Sequence, residues 1–352
     1  MGREERVELI REIEKMRNSG VITYFLSDRM NIAPALIADD AIEPLYNQLK
    51  ILGFRDQIDL ILYTRGGYVV SSFRIAKLIR EFCKTFNVLV PFRCHSGGTQ
   101  VCLAADKIVM GVLSELSPVD PSTANQFNPT DRYGRPIPIS VEDVIAYLNL
   151  AEKFGGLVSE SSKVEVFRIL TNQAPALALG NVGRVYNEIR YLVEQLLLLH
   201  MDGLKERSRI EKIKKALTEE YTHNYYITVD EAERIGLPVE RANEQLEDLI
   251  MELYKDYAQE LHLGEPFDPD AILGNNMSMT SHVKYGCIET AKESYVAVGE
   301  VILSRPTAQP QQIQLPGMPS PTMIVPHPSA LPPSVRFKPS RWVRISEAPA
   351  CV

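Results

Sequence analysis

Residues 94–110, CHSGGTQVCLAADKIVM, set Ser96 between a strand-like run and a helix-like run, with Gly97 and Gly98 directly behind it. A serine hydroxyl attacks a carbonyl only when a base removes its proton and nearby donors hold the oxyanion that forms. A strand end that turns through glycines into a helix leaves backbone N–H groups without intrahelical partners, which makes the Gly97 N–H a candidate donor. A second glycine turn, Arg65-Gly66-Gly67, follows the run QIDLILYT (57–64), and its Gly67 N–H could reach the same point. Two backbone donors converging beside a hydroxyl would build an acyl-transfer site. The same residues also fit an ordinary connection, with serine as helix cap and glycines supplying backbone freedom. The G-x-S-x-G elbow of α/β hydrolases is not matched, because Cys94 stands where its first glycine belongs.

The elements that must position these turns follow from periodicity. Residues 4–17 carry Val7, Leu9, Ile10 and Ile13 at helical spacing. VITYFL (21–26) reads as a strand, and AIEPLYNQLKILG as a helix stopped by Gly53. QIDLILYT is nearly continuous in apolar residues, which suits a strand covered on both faces. VVSSFRIAKLIREFCK is helical, NVLVPFRC a strand, QVCLAAD a short helix and KIVMG a strand. Strand, glycine turn and helix thus occur twice within about fifty residues, the pattern of β-α-β units with parallel strands. Sites in such sheets gather at the carboxyl ends of the strands, where both glycine turns fall.

Residues 113–140 are dense in Pro, Asn, Asp and Ser and read as a long loop; residues 141–217 read as helices. ITVDEAERIGLPVE reads as a short strand, a helix opened by Thr228 and stopped at Gly236, and a final strand. EQLEDLIMELYKDYAQELH is expected to close a domain spanning 1–262. Residues 263–305 form an extension in which SYVAVGEVILSR (294–305) could be an added strand or hairpin. From Pro306 onward, eleven of the twenty-three prolines fall in forty-seven residues, so 306–352 is expected to be a disordered Pro-rich tail.

The 352 residues are 45 % hydrophobic and 24 % charged, with a net charge of −7, the balance of a soluble globular chain. The basic patch LKERSRIEKIKK alternates with apolar residues as a solvated helix face does, which argues against nucleic acid as a partner. Five cysteines show no CxxC spacing and no histidine cluster, so no metal or cofactor is expected, and free thiols point to a reducing cytoplasm. The charged, amphipathic start does not read as a secretory signal, and the longest apolar stretch, LVEQLLLLHM (192–201), is too short to span a membrane.

Four blocks, DLILYTRGG, HSGGTQVCLAADKIVMG, LSELSPVDPS and YTHNYYITVDEAERIGLPV, occur in the order found in the serine dehydrogenase proteinase (SDH) family, which the chain resembles from about residue 8 to 255. These are Clp-fold serine proteinases, related to signal peptide peptidase A and more distantly to the Clp peptidase and the crotonases. The resemblance implies an α/β fold of the ClpP/crotonase type, with repeated β-α-β units and helices around a mainly parallel sheet. It makes Ser96 the nucleophile and Gly67 and Gly97 the oxyanion donors; position 97 is glycine where the family usually has alanine.

The base stays open. Signal peptide peptidase A-type enzymes use a lysine forty to fifty residues past the serine, but 136–148 contains none. Lys153 is the next candidate, and Lys107 faces away by chain order. His223 lies in EEYTHNYYIT, which matches the family's tHdypI block, and histidine titrates near neutrality. Asp120, in the SPVDP block, could orient it, with Glu220 in reserve. His95 adjoins Ser96 but is poorly aimed on a strand end, and His200, His262, His282 and His327 carry no supporting pattern.

The leading reading is an ATP-independent, cytoplasmic serine endopeptidase acting on peptides or proteins. It would be homo-oligomeric, as Clp-fold relatives are, with LVEQLLLLHM as a candidate interface. One alternative is a crotonase-like acyl-CoA thioester enzyme using the same N–H pair. Another is a catalytically silent oligomer whose tail recruits partners through segments such as LPGMPSPT.

Overall fold

The computed structural model describes residues 2–119, 122–220, 225–306, 311–313, 322–324 and 332–351. The elements run α1 (Arg3–Arg17), β1 (Gly20–Leu26), α2 (Ile42–Leu52), β2 (Arg55–Tyr63), α3 (Val69–Arg80), β3 (Cys83–Val90), β4 (Arg93–Cys94), α4 (Gly97–Leu103), β5 (Lys107–Met110) and β6 (Glu115–Leu116). The short strands β7 (Ser122–Thr123) and β8 (Ile139–Ser140) pair with each other. Then come α5 (Val141–Asn149), α6 (Glu160–Gln173), α7 (Ala176–Leu197), α8 (Arg207–Lys215), α9 (Val229–Ile235), β9 (Val239–Arg241), α10 (Glu244–Glu260) and α11 (Pro269–Leu273). The chain finishes with β10 (Ser278–Glu289), β11 (Ser294–Ser304), β12 (Gln311–Ile313), β13 (Thr322–Ile324), β14 (Ser334–Phe337) and β15 (Arg341–Arg344).

One sheet organises these elements, in the order β14-β11-β10-β1-β2-β3-β5-β9, with β15 also on β11. β1, β2, β3, β5 and β9 are mutually parallel, and β10 joins antiparallel to β1. β1 is buried at all seven positions because both faces are covered. Its alternate residues enter different cores: Val21 and Phe25 meet Leu246, Leu253 and Tyr257 of α10, whereas Ile22 and Tyr24 share a core with residues of α2, α3, α4 and α7. The apolar run of β2 splits the same way, Ile61 and Tyr63 to one face and Leu60 and Leu62 to the other.

Two sequence expectations need correction. LVEQLLLLHM is not an exposed interface: Leu192, Val193, Leu196 and Leu197 are buried within the chain. The 3.6-residue period makes one face of α7 apolar, and α3, α4, α5 and α8 of the same chain pack against α7. The expectation of disorder from 306 onward does not extend to residues 334–347. β14 pairs with Val301–Ser304 and β15 with Tyr295–Val298, followed by a short 3-10 turn. An edge strand offers unpaired N–H and C=O groups, and proline is tolerated beside such an edge. Trp342 supplies the apolar anchor, packing edge-on against Tyr24 at 6.1 Å between ring centroids.

A buried ionic network ties the hairpin β10–β11 to the core. Arg6 donates to both Glu289 oxygens (2.9 and 3.1 Å) and to Asp256 (2.6 Å), and Tyr257 and Ser294 also donate to Glu289. Burial alone would push the Glu289 carboxyl up, but the bonds from Arg6, Ser294 and Tyr257 outweigh it and hold the group below its ordinary range.

Candidate active site

At the carboxyl ends of β2 and β3 the chain makes its two glycine turns, and they touch. Thr64 N–H donates to Arg93 C=O (3.0 Å) and His95 N–H to Thr64 C=O (3.1 Å), so the two strand ends continue side by side into the turns. A Cβ built on Gly66 would lie 3.0 Å from the Ser96 Cβ and 3.4 Å from its Oγ. One built on Gly97 would lie 2.9 Å from the Gly67 nitrogen. The structure thus brings Ser96, Gly67 and Gly97 together, with only glycine leaving room between them.

Ser96 caps α4 with φ 47° and ψ −107°. This left-handed conformation is uncommon for a residue with a Cβ and is costly unless the surroundings enforce it. Here they do. The Ser96 N–H donates to Ser117 Oγ (2.8 Å), and Gly98 N–H closes the turn onto His95 C=O (2.7 Å). The Thr99 hydroxyl lies 2.9 Å from Cys94 C=O and 2.8 Å from Ser117 C=O, and accepts the Ser117 N–H at 3.1 Å. A strained serine between strand and helix is the geometry of a nucleophile elbow, reached without that motif's first glycine. The side chain is half-buried, and among the described residues none bonds its hydroxyl.

The donors are held as firmly. Ile37 N–H donates to Gly66 C=O (2.9 Å) and Tyr68 N–H to Ile37 C=O (2.8 Å), flanking Gly67 and leaving its own N–H unused among the described residues. A Cβ at position 67 would strike Ile37 backbone atoms at 2.3–2.6 Å. Gly97 opens α4, so its N–H has no carbonyl one turn back, and among the described residues it too donates to nothing. Two free N–H groups beside a half-exposed hydroxyl can hold a carbonyl oxygen as it becomes negative.

His223 and Asp120 lie outside the described residues, as does His327, and of Glu220 only the backbone is described. The residues beside these segments run past the Ser96 turn. Leu116 and Ile227 exchange two backbone bonds (3.0 and 2.8 Å), and Val119 N–H donates to Leu217 C=O (2.9 Å). Lys153 is exposed on a π-turn after α5, and Lys107 begins β5 at the sheet end opposite the glycine turns. The His200 ring bonds Leu103 C=O (3.0 Å), and burial holds its pKa down.

Several contacts around the turn were not legible in the sequence. His95 Nε2 meets Glu115 Oε1 at 3.0 Å, and Arg93 bridges Glu115 (3.2 Å) and Asp28 (3.3 Å), which also accepts from the Tyr63 hydroxyl (2.9 Å). Burial raises the Tyr63 pKa. Ser117 and Ile37 escaped notice for the same reason: each acts through a contact between segments remote in sequence. The SPVDP block hinted at Ser117 only by its position.

The sequence profile of ClpP-like SDH-type serine proteinases matches residues 2–131. Two uncharacterized proteins of Methanocaldococcus jannaschii are similar. One is 30 % identical over 261 residues, 71 % of this chain and 78 % of its own length; the other is 26 % identical over 261 residues, 72 % and 77 %. Solved structures with a similar chain include ClpP1 from Listeria monocytogenes, at 14 % identity, 69 % and 98 % coverage and a TM-score of 0.35. Another is a mutant of a membrane-bound stomatin-specific protease in complex with a substrate peptide, at 13 % identity, 65 % and 78 % coverage and a TM-score of 0.37.

Proposed function

We propose that this chain, which belongs to the family of ClpP-like SDH-type serine proteinases, hydrolyses peptide bonds through an acyl-enzyme on Ser96. The observation that carries this reading is the strained Ser96 turn packed against two glycine N–H groups that donate to nothing else among the described residues. Ser96 Oγ attacks the substrate carbonyl carbon as its proton passes to the base. The Gly67 and Gly97 N–H groups hold the oxyanion, and the leaving amine takes the proton as the C–N bond breaks. Water then repeats the sequence on the ester and frees the serine.

His223 is assigned as the base and Asp120 as the group that orients it. The support is the course of their described neighbours: Ser117 bonds the Ser96 amide, and Leu116 pairs with Ile227. Among the described residues no helix is long and apolar enough to cross a membrane. Contacts between subunits are assigned to the α5–α7 region, where Phe154, Val164, Phe167 and Leu177 are exposed.

The test is labelling with a fluorophosphonate, which traps a nucleophilic serine, followed by mapping of the modified residue. Ser96 should carry the label, Ser96→Ala should carry none, and His223→Ala should be labelled far more slowly while Lys153→Ala is not. Labelling that persists in Ser96→Ala refutes the peptidase reading; loss in Lys153→Ala with retention in His223→Ala moves the base to lysine.

A further inference from the structure

Next to the Gly67 turn the fold leaves a cavity of about 410 Å³ that the acyl-transfer chemistry does not use. Its walls come from three parts of the chain: the segment 33–38 with Leu36, Tyr68 directly after the oxyanion glycine, and Phe337 and Trp342 from the C-terminal strands. Leu36 and Tyr68 are 42 % and 63 % exposed, so the cavity is open at its rim. Two hydrogen bonds that bracket Gly67, Ile37 N–H to Gly66 C=O and Tyr68 N–H to Ile37 C=O, lock this wall to the oxyanion site.

We propose that this cavity is a subsite for an apolar side chain, aromatic or branched, of the peptide being cleaved, which rests on the peptidase reading above. Adjacency supports the placement: Tyr68, which lines the cavity, directly follows Gly67, whose N–H would hold the oxyanion, and consecutive Cα atoms are about 3.8 Å apart.

The lining decides the class of side chain. Leu26, Leu36, Tyr68, Phe337 and Trp342 offer aliphatic and aromatic surface, for which an apolar side chain exchanges water. Of the two charged residues at the border, Lys338 Nζ pairs with Glu300 at 2.6 Å, and Asp40 lies exposed at the rim with its carboxyl on the Trp342 indole N–H. Phe337 and Trp342 lie beyond residues 2–131, which the family profile matches. The C-terminal strands thereby supply part of the subsite from outside the segment that the family profile matches.

Trp342 is the only tryptophan of the chain, so its emission reports occupancy without any turnover. The experiment uses the full chain carrying Ser96→Ala and blocked hexapeptides of Gly and Ser, with one Phe, Leu, Lys or Glu moved along them. At one register, Phe or Leu should bind at least tenfold more tightly than Lys, Glu or Ser and shift the Trp342 emission. Filling the cavity by Ala38→Leu, or by Ala33→Leu at its rim if the first variant folds poorly, should cut that advantage below threefold. No preference, a preference for Lys or Glu, or an advantage untouched by both filling variants overturns the subsite. Fluorophosphonate labelling of the unmutated protein runs beside it. Labelling without an apolar preference sinks the subsite alone, and an apolar preference without labelling sinks the peptidase reading and with it the cavity's part in cleavage, leaving an apolar peptide-binding cavity.

Discussion

Gly97→Ala separates the proposed oxyanion role from any structural one. The new methyl group would lie 2.6 Å from Ser72 Oγ, 2.9 Å from the Gly67 nitrogen and 3.2 Å from the Gly67 oxygen. The first contact ends on a hydroxyl that can rotate; the other two end on backbone, and although the resembled family usually carries alanine here, the spacing in this chain puts the methyl group in the space an oxyanion needs in front of the Gly67 N–H. Loss of one such donor costs about 10²–10³ in kcat, or ~3–4 kcal/mol of transition-state stabilisation. Folding should respond less than activity, because position 97 has no left-handed φ to relax and alanine's helix propensity, higher than glycine's by up to ~1 kcal/mol, offsets part of an overpacking cost of about 1–3 kcal/mol. The assay pairs the rate of fluorophosphonate labelling with thermal unfolding, in Gly97→Ala and in Gly97→Ala combined with Ser72→Ala. Both variants should be labelled at least a hundredfold more slowly while their unfolding midpoints stay within a few degrees of the parent. If removing the Ser72 hydroxyl restores the rate, the collision was with that side chain alone, and the claim that the Gly67 N–H serves the reaction fails.

Ser96→Gly should stabilise the fold by about 1 kcal/mol while abolishing labelling, since glycine adopts φ 47° freely; a lower denaturation midpoint than the parent's would show that the turn stores no strain. Arg6→Ala should cost about 3–5 kcal/mol in chemical denaturation, because it leaves Glu289 and Asp256 buried without their cation. The same pair sets an acid limit. The folded Glu289 carboxyl titrates below its ordinary 4.5, so its contribution is complete above that pH and fades as the pH falls through the lower folded value; Glu289→Gln should flatten stability against pH in that window, and an unchanged slope would assign the acid limb elsewhere. Deleting residues 332–352 should lower the unfolding midpoint and promote association, because β11 loses both its edge partners and Tyr24 loses Trp342; an unaffected midpoint with a monodisperse chain would mean that these strands contribute nothing to the sheet.

Much of the architecture could be read in advance. VITYFL and QIDLILYT are apolar at nearly every position, and such runs need cover on both faces, which α1 and α10 supply on one side and α2, α3, α4 and α7 on the other. The glycines at 66, 67 and 97 could be flagged from sequence because glycine turns at the ends of strand-like runs leave backbone N–H groups without partners. What could not be read was their partner at each point: Ile37 in front of Gly67, Ser117 beneath Ser96, Glu115 against His95. Each contact joins segments twenty or more residues apart, and no local period encodes it. LVEQLLLLHM misled for a related reason. Its apolar stripe requires a cover, but the stripe does not say whether the cover is another subunit or the chain's own helices.

Local sequence therefore determined the strand and helix periods, the order of the β-α-β units and the two turns where a hydroxyl and backbone donors become available. The tertiary structure alone decided that those turns meet, that Ser96 is held in a left-handed conformation, and that a Pro-rich C-terminus sends two strands back onto β11 beside the cavity. The reason is physical. Periodicity records which side of an element avoids water, whereas convergence depends on sheet order and register, which are fixed only when distant strands pair and share one core.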